Sequence, residues 1–137
     1  MANKIKIKKI KTPPPGSLRK DIDFICKSFG YFSSRDKNCT AGKIFRLMVK
    51  KTTGESKGLT SDEIAEKLDL SRGTIVYHLN NFIQAGLVKR QNNRYQLRSD
   101  SLQKSLKEIK QDVERLFNEM MKIADEIDKQ LGNYYRY

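Results

Sequence analysis

The chain has 137 residues and a formal net charge of +12, with 37% of its residues hydrophobic and 32% charged. This length supports one compact domain with an extension, and the composition allows a modest core beneath a heavily charged surface. The sequence has no apolar run long enough to span a membrane and no signal-peptide pattern, so we expect a soluble, cytoplasmic protein. The first 20 residues carry +7 and residues 99–137 carry −1. This asymmetry is typical of a protein whose N-terminal part faces a polyanion, although lysine-rich surfaces also serve solubility alone.

The first 16 residues combine a basic run with a rigid break. Lysines alternate with three isoleucines, and the segment PPPG follows at residues 13–16. Consecutive prolines and a glycine end any regular element, so residues 1–16 are predicted to be a separate N-terminal arm. Two interpretations stay open: the arm follows the phosphates or minor groove of a nucleic acid, or it is an edge strand or disordered tail.

Residues 17–40 are predicted to hold one helix and a polar connector. Ser17 is a suitable N-cap for a helix that ends near Ser28 or Phe29. Apolar residues recur within it at helical spacing and make one stripe, Leu18, Ile22, Ile25 and Phe29. This stripe must pack on the chain's own core or on a partner's helix. The connector Gly30–Thr40 leads to a second helix over Ala41–Lys51. The inward positions of that helix are Ile44, Phe45, Leu47 and Met48.

The segment after residue 58 has the start and stop signals of two adjacent helices. Thr60 and Glu63 form a T-x-x-E capping box, which satisfies backbone N–H groups at a helix start. Asp69 and Leu70 break the helical run, and Ser71 is a good N-cap for a second helix. Inward-facing residues recur at helical spacing in both helices: Ile64, Ala65 and Leu68 in the first, and Ile75, Leu79, Phe82 and Ile83 in the second.

Two short strands are predicted to follow the second helix. Gly86 stands where a helix ends in a left-handed residue. Leu87–Arg90 and Arg94–Leu97 have the composition of strands, with a turn at residues 91–93 between them, and Leu59 can add a very short third strand. Helix, turn, helix and β-hairpin together predict a winged helix-turn-helix over residues 41–98. In this fold the second helix can lie in the major groove of DNA.

The last part of the chain is predicted to be one long helix over residues 99–131, beginning at Ser99 or Asp100 and ended by Gly132, with residues 132–137 as a tail. Apolar residues alternate steps of four and three along it, as in a coiled-coil seam: Leu102, Leu106, Ile109, Val113, Leu116, Met120, Ile123 and Ile127. From Phe117 onward the stripe widens, which indicates contact with more than one helix. The widening residues are Phe117, Met121, Ala124 and Leu131.

The winged domain is too small to cover this long seam, so homodimerisation through the C-terminal helix is predicted. The alternative is an intramolecular hairpin with the helix at residues 17–29, which is too short to cover the whole seam. The predicted fold class is therefore mostly α. It is a winged helix-turn-helix with a small β-hairpin wing and a long C-terminal coiled-coil dimerisation helix.

The second helix of the motif carries side chains suited to base and phosphate contacts. Arg72 can donate two hydrogen bonds to guanine, and Asn80 or Asn81 can contact adenine or phosphate. Tyr77 can donate to a phosphate while its ring stacks on a sugar. Hydroxyl, amide and basic groups at the preceding helix and in the wing can hold phosphates. The predicted DNA-contacting residues are Ser61, Ser71, Arg72, Gly73, Thr74, Val76, Tyr77, Asn80, Asn81, Lys89, Arg90, Asn92 and Arg94.

The run LTSDEIAEKLDLSRGTIVYHLNNFIQAGLVKR resembles the winged helix-turn-helix of ArsR-like and MarR-like transcriptional regulators of bacteria and archaea. The matching core is S-R-G-T-I-V-Y-H-L followed by A-G-L-V, within Ile44–Leu97. The resemblance implies a dimeric regulator that places Arg72–Asn81 in the major groove. Metal sensing of the ArsR type is not expected, because Ser61–Leu68 contains no cysteine. A winged helix with a long C-terminal coiled coil is also similar to small archaeal chromatin proteins.

The function predicted from these features is that of a sequence-specific regulator of transcription, binding double-stranded DNA as a homodimer. The alternatives are an architectural nucleoid protein of low sequence specificity and a winged-helix protein-interaction module. Neither enzymatic activity nor a cofactor or metal is predicted, because the sequence has no Gly-rich phosphate loop, metal-ligand cluster or nucleophile with an identifiable base. His78, the only histidine, is more typical of a helix edge than of a metal site. Cys26 and Cys39 are either inert or a thiol switch.

Overall fold

Five helices and three strands are present in the residues that the computed structural model describes, which are 5–30 and 40–135, with side chains up to residue 132. In chain order they are α1 (Leu18–Ser28), α2 (Thr40–Lys51), β1 (Leu59–Thr60), α3 (Ser61–Leu68), α4 (Arg72–Gln84), β2 (Val88–Gln91), β3 (Arg94–Leu97) and α5 (Leu102–Tyr135). The predicted winged helix-turn-helix with its hairpin and long C-terminal helix is confirmed. Most of the predicted connector and Cys39 lie outside the described residues.

Helix α1 packs against α2. Its buried face contains Ile22, Cys26 and Phe29, which recur at helical spacing and are at most 9% exposed. Leu18 is 64% exposed, so it lies outside the part of the stripe that packs within the chain, and Ile25 is half-buried. The reason is that the buried stripe is centred on Cys26, and Leu18 lies in the first turn, before the stripe begins.

An ion pair also ties α1 to α2. Arg46 of α2 lies 2.6 Å from Asp23 of α1, and both side chains are less than 20% exposed. The N-terminal arm has no regular secondary structure over residues 5–14, so the alternative of an edge strand is not formed there. The arm is joined to the end of α1, since the Lys8 N–H donates to the Ser28 carbonyl at 2.8 Å.

The core of the winged domain lies between α2, α3 and α4. Phe45 of α2 and Phe82 of α4 pack with ring centroids 5.5 Å apart and a tilt of 57°. Other fully buried side chains are Ile44, Met48, Ile64, Ile75, Leu79 and Leu87. Leu47 and Ile83, which were predicted to face inward, are half-buried. They lie at the margins of faces centred on Phe45 and Phe82.

The three strands form an antiparallel sheet in the order β1-β3-β2. The last pair of the β2–β3 register joins Gln91 to Arg94, so the hairpin turn contains two residues, Asn92 and Asn93. The predicted three-residue turn is therefore too long by one, because Gln91 still belongs to the strand. Asn92 has a φ of 58°, a left-handed conformation that suits tight hairpin turns and that asparagine tolerates well.

Strand β1 approaches β3 next to a position that only glycine can occupy. Gly58 has a φ of +83°, and a Cβ there would lie 2.7 Å from the Tyr95 carbonyl oxygen. The buried Thr52 hydroxyl donates to the Met48 carbonyl at 2.6 Å and accepts from the Leu97 N–H at 3.1 Å. These contacts hold the sheet against the end of α2, and so they fix the position of the base of the wing.

Helix α5 begins at Leu102, later than the predicted Ser99 or Asp100. Backbone groups of both earlier residues are engaged elsewhere. The Ser99 N–H donates to the Ser105 hydroxyl at 3.0 Å, and the Asp100 carbonyl accepts from the Gly54 N–H at 2.6 Å. These residues therefore hold the chain in place before the helix starts.

Helix α5 continues through Gly132 to Tyr135, so the predicted end at Gly132 is wrong. A glycine in a helix interior costs about 1 kcal/mol relative to alanine, which a long helix can tolerate. By its internal contacts the chain divides into Met1–Ser105, which holds the winged domain, and Leu106–Tyr137, which holds most of α5. In the described part of the chain, no helix is both long and apolar enough to cross a membrane.

Candidate nucleic-acid interface

The helix-turn-helix is built from caps at the starts of α3 and α4. The Thr60 hydroxyl accepts from the Glu63 N–H at 3.1 Å, while the Glu63 carboxylate accepts from the Thr60 N–H at 3.4 Å. Helix α3 ends at Asp69, whose φ of 54° is left-handed. Ser71 then caps α4 by accepting from the Thr74 N–H at 3.2 Å. Both predicted caps are confirmed, and between them lies the short turn that orients α4 relative to α3.

Helix α4 buries one side and presents the other. Ile75, Leu79 and Phe82 are fully buried, whereas Tyr77 is 64% exposed. The residues of this helix and its cap that were predicted to contact DNA are all exposed or half-buried: Ser71, Arg72, Gly73, Thr74, Val76, Tyr77, Asn80 and Asn81. Residues three and four apart in a helix share a face, so Gly73, Tyr77 and Asn80 form a row along the outside of α4.

His78 sits at the edge of the same helix. Its side chain is half-buried, and its ring meets the Tyr77 ring edge-on, with centroids 5.2 Å apart. This contact restricts the orientation of the Tyr77 ring. Within residues 5–30 and 40–132, no group of three or more His, Cys, Asp or Glu side chains is arranged to hold a metal ion.

The turn at the C-terminal end of α4 determines where the wing begins. Gly86 has a φ of 84°, and its N–H donates to the Ile83 carbonyl at 3.0 Å. The next N–H, that of Leu87, donates to the Phe82 carbonyl at 3.0 Å. This pair of bonds is a Schellman motif, as the predicted left-handed glycine requires. It turns the chain directly into β2, so α4 and the wing are joined by a defined turn.

The basic residues of the wing divide between the two faces of the hairpin. Alternate residues of a strand point to opposite faces. Arg90 is paired across the hairpin with Tyr95, and its guanidinium lies 5.5 Å from that ring's centroid. Its Nε also donates to the Asn92 carbonyl at 3.0 Å. Lys89 and Arg94 lie on the other face, so the predicted wing contacts do not form one continuous basic surface.

Arg94 joins the wing to the first helix of the motif. Its Nη1 donates to the Gly58 carbonyl at 3.1 Å and lies 3.5 Å from Glu63 Oε1. The same carboxylate oxygen is the acceptor of the capping box at Thr60. Sequence reasoning missed this positioning role because it depends on the β1–β3 register, which places Thr60 opposite Arg94.

Arg72, the first residue of α4, has an acidic neighbour. Its Nε lies 3.7 Å from Asp62 in the first turn of α3, and both side chains are more than 70% exposed. Such exposed pairs contribute little to stability, so Arg72 can exchange Asp62 for a phosphate or a base. Together with the contact between Glu63 and Arg94, this means that two consecutive acidic residues of α3 face an arginine of α4 and an arginine of the wing.

Ser61 differs from the other predicted DNA-contacting residues. It is 8% exposed, because it begins α3 where β1 packs against that helix. The prediction that it starts the helix is confirmed. Its hydroxyl is the least accessible of the predicted set, so it is poorly placed to reach a phosphate.

The charged residues within α4 and the wing are all basic. Residues 71–99 contain five Arg or Lys side chains and no Asp or Glu. Lys89, Arg90 and Asn92 are exposed. A surface segment of one sign attracts an oppositely charged partner and accelerates its association. The arrangement can therefore bind a polyanion.

The residues predicted to form the dimer seam fall into two groups. The first group is buried or half-buried and consists of Leu102, Leu106, Ile109 and Val113. The second group is between 48% and 62% exposed and consists of Leu116, Met120, Ile123 and Ile127. Only the second group is freely accessible to a partner among the residues predicted for the seam.

A family model described as a helix-turn-helix domain matches residues 40–91. The matched segment runs from the first residue of α2 to the last residue of β2, and so includes the capping box, the turn and the exposed face of α4. Neither a curated protein nor a solved structure matches the chain. The fold and the family match agree on a helix-turn-helix domain over residues 40–91, a fold whose second helix can enter the major groove of DNA.

Proposed function

We propose that this protein is a sequence-specific regulator of transcription that binds double-stranded DNA as a homodimer, in the manner of ArsR-like and MarR-like regulators. The observation that carries the proposal is the outer face of α4. It is exposed, begins with an arginine, and lies in a segment that has five basic side chains and no acidic one. A protein-interaction surface does not require this excess of basic residues.

The outer face of α4 supplies the base contacts in this proposal. Arg72 is at the N-terminal end of the helix, where recognition helices reach base edges, and its fork matches the two acceptors of guanine. Asn80 or Asn81 is suited to adenine or phosphate. Gly73 has nothing within 4 Å of the position that a Cβ would occupy, so the backbone there can come close to DNA.

The wing supplies phosphate contacts. Lys89 is exposed, whereas Arg94 is partly occupied with Gly58 and Glu63. Lys89 is therefore the better candidate for a phosphate. Arg90 and Asn92 lie at the tip, where they can reach a neighbouring groove. Tyr77 contributes from α4, with its hydroxyl to a phosphate and its ring against a sugar.

Homodimerisation through α5 places two copies of α4 on one duplex. The exposed apolar side chains of α5 support this step, because a helix that leaves so much apolar surface in water gains by pairing. A two-fold dimer binds two related half-sites about 34–36 Å apart, or a multiple of that distance. The bound DNA is therefore expected to contain a symmetric motif.

A second candidate function is that of an architectural DNA-binding protein with little sequence preference. The observation that favours it is the N-terminal arm, whose lysines at residues 6, 8, 9 and 11 are all exposed. Together with the net charge of +12, such an arm supplies affinity for any phosphate backbone. In a third candidate, a winged-helix module that binds protein and no DNA, this charge would serve solubility alone.

The deciding experiment selects bound fragments from genomic DNA and then measures competition by random duplex. For the regulator, we expect at least a 10³-fold preference for the selected site, on the order of the range known for specific proteins. Arg72→Ala should relax specificity by about 1–3 kcal/mol at one base position. Lys89→Ala should instead weaken binding to all sequences and reduce the salt slope by about one.

Lys122→Ala, an exposed substitution in α5, removes the same charge away from α4 and serves as the control. An affinity for the selected site that barely exceeds that for random DNA would leave the architectural protein as the function. Undetectable binding to any duplex at low salt would leave the protein-interaction module.

A further inference from the structure

The C-terminal part of α5 presents a broad apolar face to solvent. Its large apolar side chains are between 48% and 62% exposed: Leu116, Phe117, Met120, Met121, Ile123, Ile127 and Leu131. In the winged domain, many side chains of the same kind are fully buried, among them Phe45, Met48, Ile64 and Leu79. Seven exposed large apolar residues within four to five turns of one helix mark an interaction surface.

This face is too wide for a two-stranded coiled coil. In heptad terms Leu116 and Ile123 occupy d, and Met120 and Ile127 occupy a. A further apolar row lies at e: Phe117, Ala124 and Leu131. A two-stranded coil needs apolar residues at a and d only, whereas helices in the core of a bundle add e or g.

The e row makes a second seam with the a row. The residues Phe117, Met120, Ala124, Ile127 and Leu131 follow one another at steps of three, four, three and four, which is again the spacing of a coiled coil. The two seams share Met120 and Ile127. One helix can therefore pack against two neighbours at once.

We infer that this face joins four copies of the chain, with their α5 helices in a four-helix bundle. The inference rests on the proposed function, in that the d–a seam forms the DNA-binding dimer, and the a–e seam then joins two such dimers. In an assembly of four copies, every winged domain has a partner with which it can bind a two-fold symmetric DNA site. In an assembly of three copies, one winged domain would have no such partner. Ile123 at a d position also disfavours a two-stranded parallel coil.

The exposed area supports a second copy on both seams. The four exposed a and d side chains offer roughly 100 Å² each, about half of the roughly 800 Å² that each partner contributes to a stable interface. Phe117 and Leu131, on the a–e seam, add roughly 200 Å² to this area, and Met121, at b, lies outside both seams. A dimer held by the d–a seam alone leaves Phe117 and Leu131 in water.

The charge beside the face fits a protein partner better than a lipid or nucleic acid. Residues 116–131 contain four acidic and two basic side chains, and Glu119 and Glu126 border the d–a seam at g. Helices that lie on anionic membranes carry a basic polar face instead. The same acidic border disfavours contact with phosphates, so the broad face takes copies of itself while the winged domains take DNA.

A bundle of four helices carries two DNA-binding pairs, and this gives the protein a further activity. Each pair can hold its own duplex segment, so that one tetramer bridges two sites on separate molecules or closes a loop on one molecule. Bridging needs no additional residue in the winged domain. It depends on the a–e seam alone.

Sedimentation equilibrium of the full chain tests the assembly. We expect a tetramer at micromolar concentration. Phe117→Lys, at e, should reduce it to a dimer, and Leu131→Lys should do the same. Leu116→Lys combined with Met120→Lys should give a monomer, since Met120 belongs to both seams. Asn118→Lys adds the same charge one residue further on, away from the face, and should leave the tetramer intact.

Some outcomes would overturn the inference. A wild-type chain that sediments as a dimer has no second seam. If the Phe117→Lys variant is a monomer, like the variant that combines Leu116→Lys with Met120→Lys, then the d–a seam and the a–e seam form a single interface. Circular dichroism of each variant confirms that α5 stays helical before its mass is interpreted.

Capture of a labelled duplex by a second duplex fixed to beads tests the bridging. Wild type and Asn118→Lys should capture it, and Phe117→Lys should not, while all three bind a single duplex with similar affinity. If neither the wild type nor the two variants bind a single duplex, the result contradicts the proposed function. Single-duplex binding by a wild type that never bridges would overturn only the inference about four copies.

Discussion

The winged domain and the C-terminal helix differ in how far their apolar side chains are buried. Both are built from amphipathic helices with well-placed caps. In the winged domain Phe45 and Phe82 are completely buried against each other, whereas Phe117 in α5 is 53% exposed. The domain therefore has its own core, whereas the C-terminal part of α5 leaves its apolar face exposed within the single chain. The difference shows that an apolar stripe predicts burial but does not identify the partner.

A matched pair of substitutions tests this contrast most directly. Phe82→Ala removes a ring from a closed core and should lower the free energy of unfolding by about 3–5 kcal/mol, independently of protein concentration. Phe117→Ala makes the same chemical change on an exposed face. If the proposed oligomer forms, the effect of this substitution should grow with protein concentration and vanish on dilution, because only the partner helices would cover the ring.

Urea unfolding of both variants, at two protein concentrations a hundredfold apart, measures these effects. Similar, concentration-independent losses for Phe82→Ala and Phe117→Ala would show that α5 is covered within a single chain. That result would contradict the proposed difference between the winged domain and α5.

The features that the sequence predicted well are those that depend on neighbouring residues. The capping box at Thr60, the cap at Ser71 and the left-handed Gly86 each need only a few adjacent side chains or one backbone angle, and all three are present. The periodicity of α4 also predicted its outer face correctly, because the spacing of buried residues determines which residues remain outside.

The features that the sequence did not predict depend on tertiary register. Leu18 continues the apolar stripe of α1 but lies before the stretch that packs on α2. Helix α5 starts late because the Asp100 carbonyl binds a loop residue distant in sequence. Arg94, which was predicted to contact phosphate, also lies 3.5 Å from Glu63 of α3, a contact that follows from the β1–β3 register. No local pattern carries information about these pairings.

Replacing one glycine in the winged domain and one in α5 by alanine should change stability in opposite directions. Gly58→Ala forces a side chain into a left-handed backbone and against the Tyr95 carbonyl at 2.7 Å, so it should destabilise the winged domain by about 2–3 kcal/mol. Gly132→Ala introduces a better helix former into α5, where a Cβ meets nothing within 4 Å, and should stabilise that helix by about 0.5–1 kcal/mol.

Thermal unfolding followed by near-ultraviolet and far-ultraviolet circular dichroism separates the two glycine effects. Gly54→Ala is the control for Gly58→Ala, because Gly54 also has a left-handed φ of +72° but open space around it. If Gly54→Ala costs as much as Gly58→Ala, backbone strain alone explains the loss, and the close approach of β1 to β3 contributes nothing.

The smallest predicted effect concerns the first turn of α3, where Asp62 lies beside Arg72 on the proposed DNA-binding face. Asp62→Asn releases Arg72 from its 3.7 Å contact and removes a negative charge that phosphates would otherwise meet. We expect DNA affinity to rise a few-fold, by less than about 1 kcal/mol, since both side chains are exposed and screened. Asp128→Asn changes the net charge equally in α5 and should have a smaller effect. Fluorescence anisotropy at two salt concentrations measures both, and equal gains would mean that net charge, rather than the contact with Arg72, controls the affinity.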